Sequence, residues 1–151
     1  MYRLMFDTNI LIDAIVSGRP ESDAARELLI WCAEKGGVAL VCPLSLKDTY
    51  YVLNRDLSEK DSRAAVKSLM QAVRLTPVGM EECDMAIDSD EPDFEDGIIR
   101  ACAELNDADF FITRDRQAYT RSKIKRLSAK EFLHTHGKDK PGTFIPYEDL
   151  V

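Results

Sequence analysis

The sequence predicts a single α/β domain with a mainly parallel central sheet and helices on both of its faces. Short apolar segments typical of strands alternate along the chain with longer segments whose apolar residues recur at helical spacing. The segment VALVC (38–42) is apolar throughout, as expected for a strand that is covered on both faces of a parallel sheet. The length of 151 residues is that of one domain. These three observations predict a three-layer α/β/α fold.

The first half of the chain contains two predicted strands and four predicted helices. The strands span residues 2–6 and 38–42, and the helices span residues 10–16, 20–35, 46–54 and 59–73. Pro20 favours the start of the second helix and Gly36-Gly37 favours its end. Ser58 is a suitable N-cap for the fourth helix.

The second half continues the alternation of strands and helices. RLTPV (74–78) is a weak strand, residues 80–88 form one or two helical turns, and a longer helix begins at Pro92. DFFIT (109–113) is a buried strand, and KIKRL (123–127) with AKEFLHTHG (129–137) gives a last strand and helix. We therefore expect one domain over residues 1–136 and a C-terminal tail over 137–151 that is extended or partly disordered.

Bulk properties narrow the classes of function. No apolar run approaches the roughly 18 residues of a membrane span, and the N-terminus has no signal sequence, so we expect a cytoplasmic protein that makes no membrane contact. The four cysteines are far apart and contain no C-x-x-C pair, which indicates reduced thiols.

The net charge of −7 argues against a nucleic-acid partner, but the charges are segregated along the chain. Every charged residue from 81 to 96 is acidic, whereas residues 113–126 carry six bases around the single acid Asp115. This segregation becomes informative about function if the two zones meet at one site.

Four acidic residues are predicted to meet at one edge of the sheet. Ligands of parallel sheets bind beyond the carboxyl ends of the strands, and Asp7 and Asp115 each follow such an end. Asp48 is expected in the first turn of the helix after the second strand. Asp96 lies three residues after Asp93, at the start of a helix and on the same face. The predicted set is thus Asp7, Asp48, Asp96 and Asp115.

Each acid also has a purely structural interpretation. Asp7 with Asn9 is suited to capping the following helix, and Asp48 fits the third position of a capping box that begins at Ser45. Asp93 and Asp96 complement the positive end of their helix, and Asp115 is suited to starting a turn. The coincidence of all four favours a cation, since like charges at one edge repel. Oxygen ligands without a cluster of His or Cys favour Mg²⁺ or Mn²⁺.

The motifs FDTNILID and DFEDGIIRACAELNDADFFITRD, in this order, resemble the PIN domain family over about residues 1–136. This family comprises metal-dependent nucleases and includes VapC-like toxins of type II toxin-antitoxin pairs. The resemblance implies that Asp7, Asp96 and Asp115 are metal-site residues, with Asp48 standing where the family usually carries Glu. It further implies that Asn9 and Thr113 support these acids and that Asp93 is an extra ligand or a neighbour of the ligands. An antitoxin partner and a homodimer are also implied.

The chemistry required for RNA hydrolysis agrees with these residues. One or two Mg²⁺ ions activate water and neutralise the charge that grows on the phosphate oxygens, so that no side-chain nucleophile is needed. Arg114 and Arg116 flank Asp115, and Lys47 precedes Asp48, so we expect these three bases to contact RNA phosphates. Four further bases either extend this track or form a solvated surface: Arg121, Lys123, Lys125 and Arg126.

Two other functions remain open at this point. A phosphatase of the haloacid dehalogenase type also begins with a strand followed by D-x-D, but here the third position is Asn9. A PIN-like module that binds RNA or protein without cleaving is the other alternative, and the shorter side chain of Asp48 favours it. The presence of Asp7, Asp96 and Asp115 together favours the enzyme.

Overall fold

A computed structural model describes residues 1–137, which form five strands and seven helices. The strands are β1 (Arg3–Phe6), β2 (Val38–Val41), β3 (Arg74–Leu75), β4 (Phe110–Ile112) and β5 (Lys125–Leu127). The helices are α1 (Thr8–Ile15), α2 (Ser22–Lys35), α3 (Pro43–Leu53), α4 (Glu59–Ala72), α5 (Met80–Asp88), α6 (Phe94–Leu105) and α7 (Ala129–His136).

The five strands form one parallel sheet in the order β3-β2-β1-β4-β5. Strand β1 is central, and Leu4 is in register with Ala39 on one side and with Phe110 on the other. The chain first builds the sheet outward from β1 to β3, and then returns to place β4 on the opposite side of β1. The crevice beyond the carboxyl ends of β1 and β4 is therefore the topological switch point, where ligands bind in open α/β sheets.

Both faces of the sheet are covered, which confirms the predicted three-layer α/β/α fold. Leu4 and Phe6 face a cluster that includes Trp31 and Phe132, whereas Met5 faces the opposite cluster with Ile99. All of these side chains are at most 3% exposed. Because consecutive residues of a strand point to opposite faces, the part of a strand that is covered on both faces is apolar, as Leu4, Met5 and Phe6 of β1 are.

Two helices of the N-terminal half begin earlier than predicted. α1 begins at Thr8, because the side chain of Asp7 accepts a hydrogen bond from the Thr8 backbone N–H and acts as N-cap. α3 begins at Pro43, whose fixed φ suits the first helical position. The capping box predicted from Ser45 to Asp48 is therefore wrong: Ser45 is buried inside the helix and accepts from Thr8 Oγ1 at 2.8 Å. Asp48 consequently lies in the second turn of α3 and not in the first.

The remaining elements differ from expectation mainly at their ends. The weak strand at residues 74–78 is reduced to the two residues of β3, and the segment at 80–88 is a complete helix, α5. Apart from Gly137, the predicted tail lies outside the described residues. None of the helices within residues 1–137 has the length and apolar character needed to cross a membrane.

Candidate active site

Asp7 is the most firmly held acid of the switch-point crevice. It is only 6% exposed. Oδ1 accepts from the Thr8 backbone N–H at 2.9 Å and from the Tyr119 hydroxyl at 2.8 Å, and Oδ2 accepts from Thr113 Oγ1 at 2.8 Å. Three donors thus fix the orientation of one buried carboxylate, which satisfies the requirement that buried charge be hydrogen-bonded.

Asp115 is joined to Asp7 through Thr113. The Thr113 hydroxyl donates to Asp7 and accepts from the Asp115 backbone N–H at 3.0 Å. Asp115 Oδ1 accepts from the backbone N–H groups of Gln117 at 2.8 Å and Ala118 at 3.3 Å, so the acid also forms the turn after β4. Asp7 and Asp115 therefore follow adjacent parallel strands and share one hydroxyl group between them.

Asp96 adds a third carboxylate to this edge from the first turn of α6. Asp93 is the N-cap of α6, and its Oδ1 accepts from the Asp96 backbone N–H at 2.9 Å. Burial raises the pKa of Asp96 to about 7. Four nearby negative charges act in the same direction: Asp7, Asp93, Asp115 and Glu91. The acids predicted from distant parts of the sequence are thus close enough to oppose the ionisation of Asp96.

Asp48 lies in a different local environment from the other three acids. Its Oδ1 is 2.9 Å from Lys47 Nζ. Burial acts to raise the pKa of Asp48, but hydrogen bonds with Glu95 and Lys47 outweigh it, and the pKa is lowered. The hydrogen bond between Asp48 and Glu95, together with burial, raises the pKa of Glu95 to about 7. Asp48 is therefore paired with Lys47 and Glu95. Lys47, which was predicted to contact RNA phosphate, forms a salt bridge with Asp48 in this structure.

Other predicted site residues lie in less direct positions. Asn9 is exposed in the first turn of α1, and it is not among the hydrogen-bond donors to Asp7 within residues 1–137. Arg114 donates from Nε to Asp13 Oδ2 at 2.9 Å, and Asp13, which is 1% exposed, also binds Arg19 at 2.7 Å. Arg114 thus has a buried structural partner in addition to its predicted role toward phosphate.

Arg116 is exposed and lines a cavity of about 330 Å³ beside the carboxylates. Asp115 and Arg126 also line this cavity. Arg126 donates from Nη1 to the carbonyl oxygens of Asp115 at 3.0 Å and Ala118 at 3.1 Å, so its charge lies over the turn that carries Asp115. A basic surface therefore adjoins the acids at the carboxyl edge.

A larger cavity of about 720 Å³ lies between α5 and α6. It is lined by Met85, Asp84 and Arg100 among others, and by none of the acids Asp7, Asp48, Asp96 and Asp115. We assign the site by its converging side chains rather than by cavity size, because hydrolysis requires groups that hold charge at the reacting bond.

Two side chains of the site, Tyr119 and Glu91, were not predicted from the sequence. Tyr119 is fully buried and donates to Asp7, and its backbone N–H binds Glu91 Oε2 at 2.9 Å. Tyr119 belongs to an irregular segment with no strand or helix periodicity, so the burial of its side chain could not be predicted. The only available signal was one aromatic residue inside a strongly basic segment.

The donor set fits a hard divalent cation. The candidate ligands Asp7, Asp96 and Asp115 offer carboxylate oxygens, which suit Mg²⁺ and Mn²⁺ better than Zn²⁺. Within residues 1–137, no three His, Cys, Asp or Glu side chains already stand close enough together to enclose a metal ion. Asp115 is exposed and Asp96 is partly exposed, whereas Asp7 is buried and held by three hydrogen bonds.

The chain was compared with known proteins and structures. No match was found among curated proteins. Structures similar to this chain include Mycobacterium tuberculosis VapC20, a toxin that cleaves the sarcin-ricin loop, with 21% identity, a TM-score of 0.63, and coverage of 79% of this chain and 95% of that chain. VapBC2 from Rickettsia felis, bound to a DNA fragment from its promoter, gives 12% identity and a TM-score of 0.65, covering 83% and 98%. FitAcB from Neisseria gonorrhoeae gives 14% identity and a TM-score of 0.61, covering 84% and 98%. A sequence model described as PIN domain matches residues 3–117. The chain belongs to the PIN domain family.

Proposed function

We propose that the protein is a metal-dependent endoribonuclease and the toxin component of a type II toxin-antitoxin pair. The observation that carries the proposal is the gathering of Asp7, Asp96 and Asp115 at the switch point of the sheet, where Asp7 and Asp115 both oppose the ionisation of Asp96. Membership of the PIN domain family supports nuclease chemistry in general.

We assign the metal site to Asp7, Asp96 and Asp115, with Mg²⁺ or Mn²⁺ as the cofactor. When bound, the ion supplies an activated water and neutralises charge on the phosphate oxygens. Asp7 contributes a carboxylate that Thr8, Thr113 and Tyr119 hold in one orientation. Asp96 contributes a carboxyl group whose ionisation a cation favours, since it removes the repulsion from neighbouring acids. Asp48, paired with Lys47, is assigned to the rim of the site.

The basic surface beside Asp115 is proposed to hold the RNA backbone. Arg116 is exposed there and has no side-chain partner among the described residues, in contrast to Arg114, which binds Asp13. A guanidinium group suits this role because it contacts phosphate oxygens in a bidentate manner. The net charge of −7 then restricts RNA to the side of the molecule where these bases lie.

Partner binding is proposed for the exposed surface of the α3–α4 region. Three large apolar side chains are exposed there: Tyr51 is 61% exposed, Leu57 41% and Met70 45%. These side chains lie on or between α3 and α4, two helices that pack together, and exposed apolar residues that cluster mark interaction sites. We expect the homodimer at this surface, and the similarity to VapBC2 and FitAcB supports an antitoxin as a second partner.

Replacing Asp7 by Asn tests the proposal. Asn retains the size and the helix-capping ability of Asp but loses the charge. We expect wild-type protein at Mn²⁺ concentrations of about 100 times Kd to gain about 2.7 kcal/mol of stability and to cleave RNA. D7N should lose both properties, whereas D56N, which removes one exposed charge remote from the site, should keep both.

The outcomes separate the alternatives. RNA cleavage by D7N at the wild-type rate would overturn the proposal. A wild-type protein that binds RNA but neither binds Mn²⁺ nor cleaves would instead be the RNA-binding module. In either case, Arg116→Ala tests whether the basic surface binds RNA. The affinity for RNA should fall, and the salt dependence of that affinity should decrease by about one phosphate contact. Lys67→Ala, an exposed base on α4, is the matched control.

A further inference from the structure

Tyr119 has three unusual features in one residue. Its side chain is 0% exposed, and its ring stacks on Phe111 with a centroid distance of 4.2 Å and an interplanar angle of 6°. Its backbone φ is +63°, in the left-handed region that L-residues other than Gly rarely adopt. Bulky residues persist in such a conformation only where the surrounding structure holds them, and these positions concentrate at functional sites.

Contacts on both sides of Tyr119 hold this conformation. The Tyr119 backbone N–H donates to Glu91 Oε2 at 2.9 Å, and the Glu91 side chain is 1% exposed. Arg100 Nη1 lies 3.5 Å from the other oxygen of Glu91. Arg126 binds the carbonyl oxygen of Ala118, the preceding residue. Glu91, which Arg100 contacts, and the hydrogen bond of Arg126 to Ala118 thus fix the position of the tyrosine.

The result of this placement is a hydrogen bond from the Tyr119 hydroxyl to Asp7. The distance from Oη to Oδ1 is 2.8 Å, and a carboxylate can only accept, so the tyrosine donates. Stacking on Phe111 requires only the ring, so packing alone does not account for the hydroxyl group.

We propose that Tyr119 is a positioning residue that fixes the orientation of Asp7 for the cation, and that Glu91 holds Tyr119 for this purpose. The inference rests on the proposed function, because it assigns Asp7 to the metal site. Tyr119 acts through Asp7 and does not touch the substrate. Groups that orient a metal ligand typically contribute 10–100-fold to metal affinity.

Tyr119→Phe is the direct test, because it removes the hydroxyl and keeps the stacked ring. We expect Mn²⁺ affinity, measured by titration calorimetry, to fall by about 10–100-fold. The KM for RNA should be unchanged and kcat should fall, because the buried residue does not contact RNA. Tyr2→Phe removes the hydroxyl of a tyrosine that precedes β1, at the edge of the sheet opposite Asp7, and should leave all three quantities unchanged.

The results distinguish this inference from the proposed function. If wild-type protein binds no Mn²⁺, the proposed function fails and this inference fails with it. If wild-type and Y119F proteins bind Mn²⁺ equally, while D7N does not bind it, the inference alone fails. A Y119F protein with a lower melting temperature without metal but an unchanged Mn²⁺ affinity has lost a structural hydrogen bond only, and likewise overturns it.

A second measurement does not depend on how Y119F folds. Incorporation of 3-fluorotyrosine at position 119 keeps both the ring and the hydroxyl group. We expect its ¹⁹F resonance to shift on addition of diamagnetic Mg²⁺ to the otherwise wild-type protein. In a labelled protein that also carries the D7N substitution, Mg²⁺ should not shift the resonance. A resonance that ignores Mg²⁺ in the wild-type background, under conditions where Mg²⁺ binds, would refute the coupling of Tyr119 to Asp7.

Discussion

Asp96→Asn should stabilise the protein in the absence of metal. In the folded protein, burial raises the pKa of Asp96 to about 7 from an ordinary value of 3.8, and four neighbouring negative charges act in the same direction. The folded state thus binds more protons than the unfolded state between these two values. Stability is therefore lost as the pH rises through this window, and the loss is complete above about pH 7. Asn carries no charge and avoids the loss.

The size of the effect follows from the shift and from the exposure of the group. One pKa unit corresponds to about 1.4 kcal/mol, but Asp96 is partly exposed, so solvent reduces the full value. Losing a negative charge in the first turn of α6 costs about 0.5 kcal/mol. We expect a net gain on the order of 1–2 kcal/mol at pH 8, or about 4 °C in melting temperature for a domain of this size.

Thermal unfolding in EDTA across pH 4–8 measures this gain. The difference in melting temperature between D96N and wild type should be near zero at pH 4, where wild-type Asp96 is protonated, and should reach its maximum above pH 7. Adding Mn²⁺ should make the wild-type protein the more stable of the two, since only the wild-type protein keeps its full set of metal ligands. D56N serves as the control for removing one charge from a chain of net charge −7. A D96N protein that is less stable than wild type at pH 8, or a difference that ignores pH, would refute the reasoning.

Two further predictions concern the acids around the site. Asp13→Asn should lower the free energy of unfolding, measured in urea, by about 2 kcal/mol, because the 1% exposed Asp13 loses its charge-assisted hydrogen bonds to Arg19 and Arg114. A change below about 0.5 kcal/mol, the range of an ordinary surface substitution, would contradict this prediction. Asp48→Ala should weaken Mn²⁺ binding by less than about tenfold, because Asp48 is paired with Lys47 and Glu95. Titration calorimetry would contradict this if D48A lost as much affinity as D7N.

The parts of the fold that were predicted correctly are those with a local cause. Strands β1, β2 and β4 are short apolar runs that must be buried on both faces. Gly36 ends α2 because it adopts a left-handed conformation with φ of +80°, which Gly adopts without strain. The start of α3 was mispredicted because two local signals competed: Pro43 favours a helix start, and the spacing of Ser45 and Asp48 imitates a capping box.

The meeting of Asp7 and Asp115 was predictable for a topological reason. Both follow strands of one parallel sheet, and the carboxyl ends of parallel strands lie at the same edge. The contacts of Tyr119, Glu91 and Arg114 were not predictable in this way. The hydrogen bond between Arg114 and Asp13 spans 101 positions, and it depends on the path of loops that no periodicity describes.

Several local costs accumulate at the carboxyl edge of this sheet. Neighbouring acids oppose the ionisation of Asp96, the Asp7 carboxylate is buried, and Tyr119 adopts a left-handed backbone conformation. A module that only binds RNA or protein needs none of these, because loss of a single acid would relieve the repulsion at no cost to binding. The costs do have a common explanation if a cation occupies the edge, since it would neutralise the acids that Tyr119 and Thr113 hold in place. For this reason the arrangement favours a working metal-dependent nuclease over a degraded one, although Asp48 replaces the usual Glu.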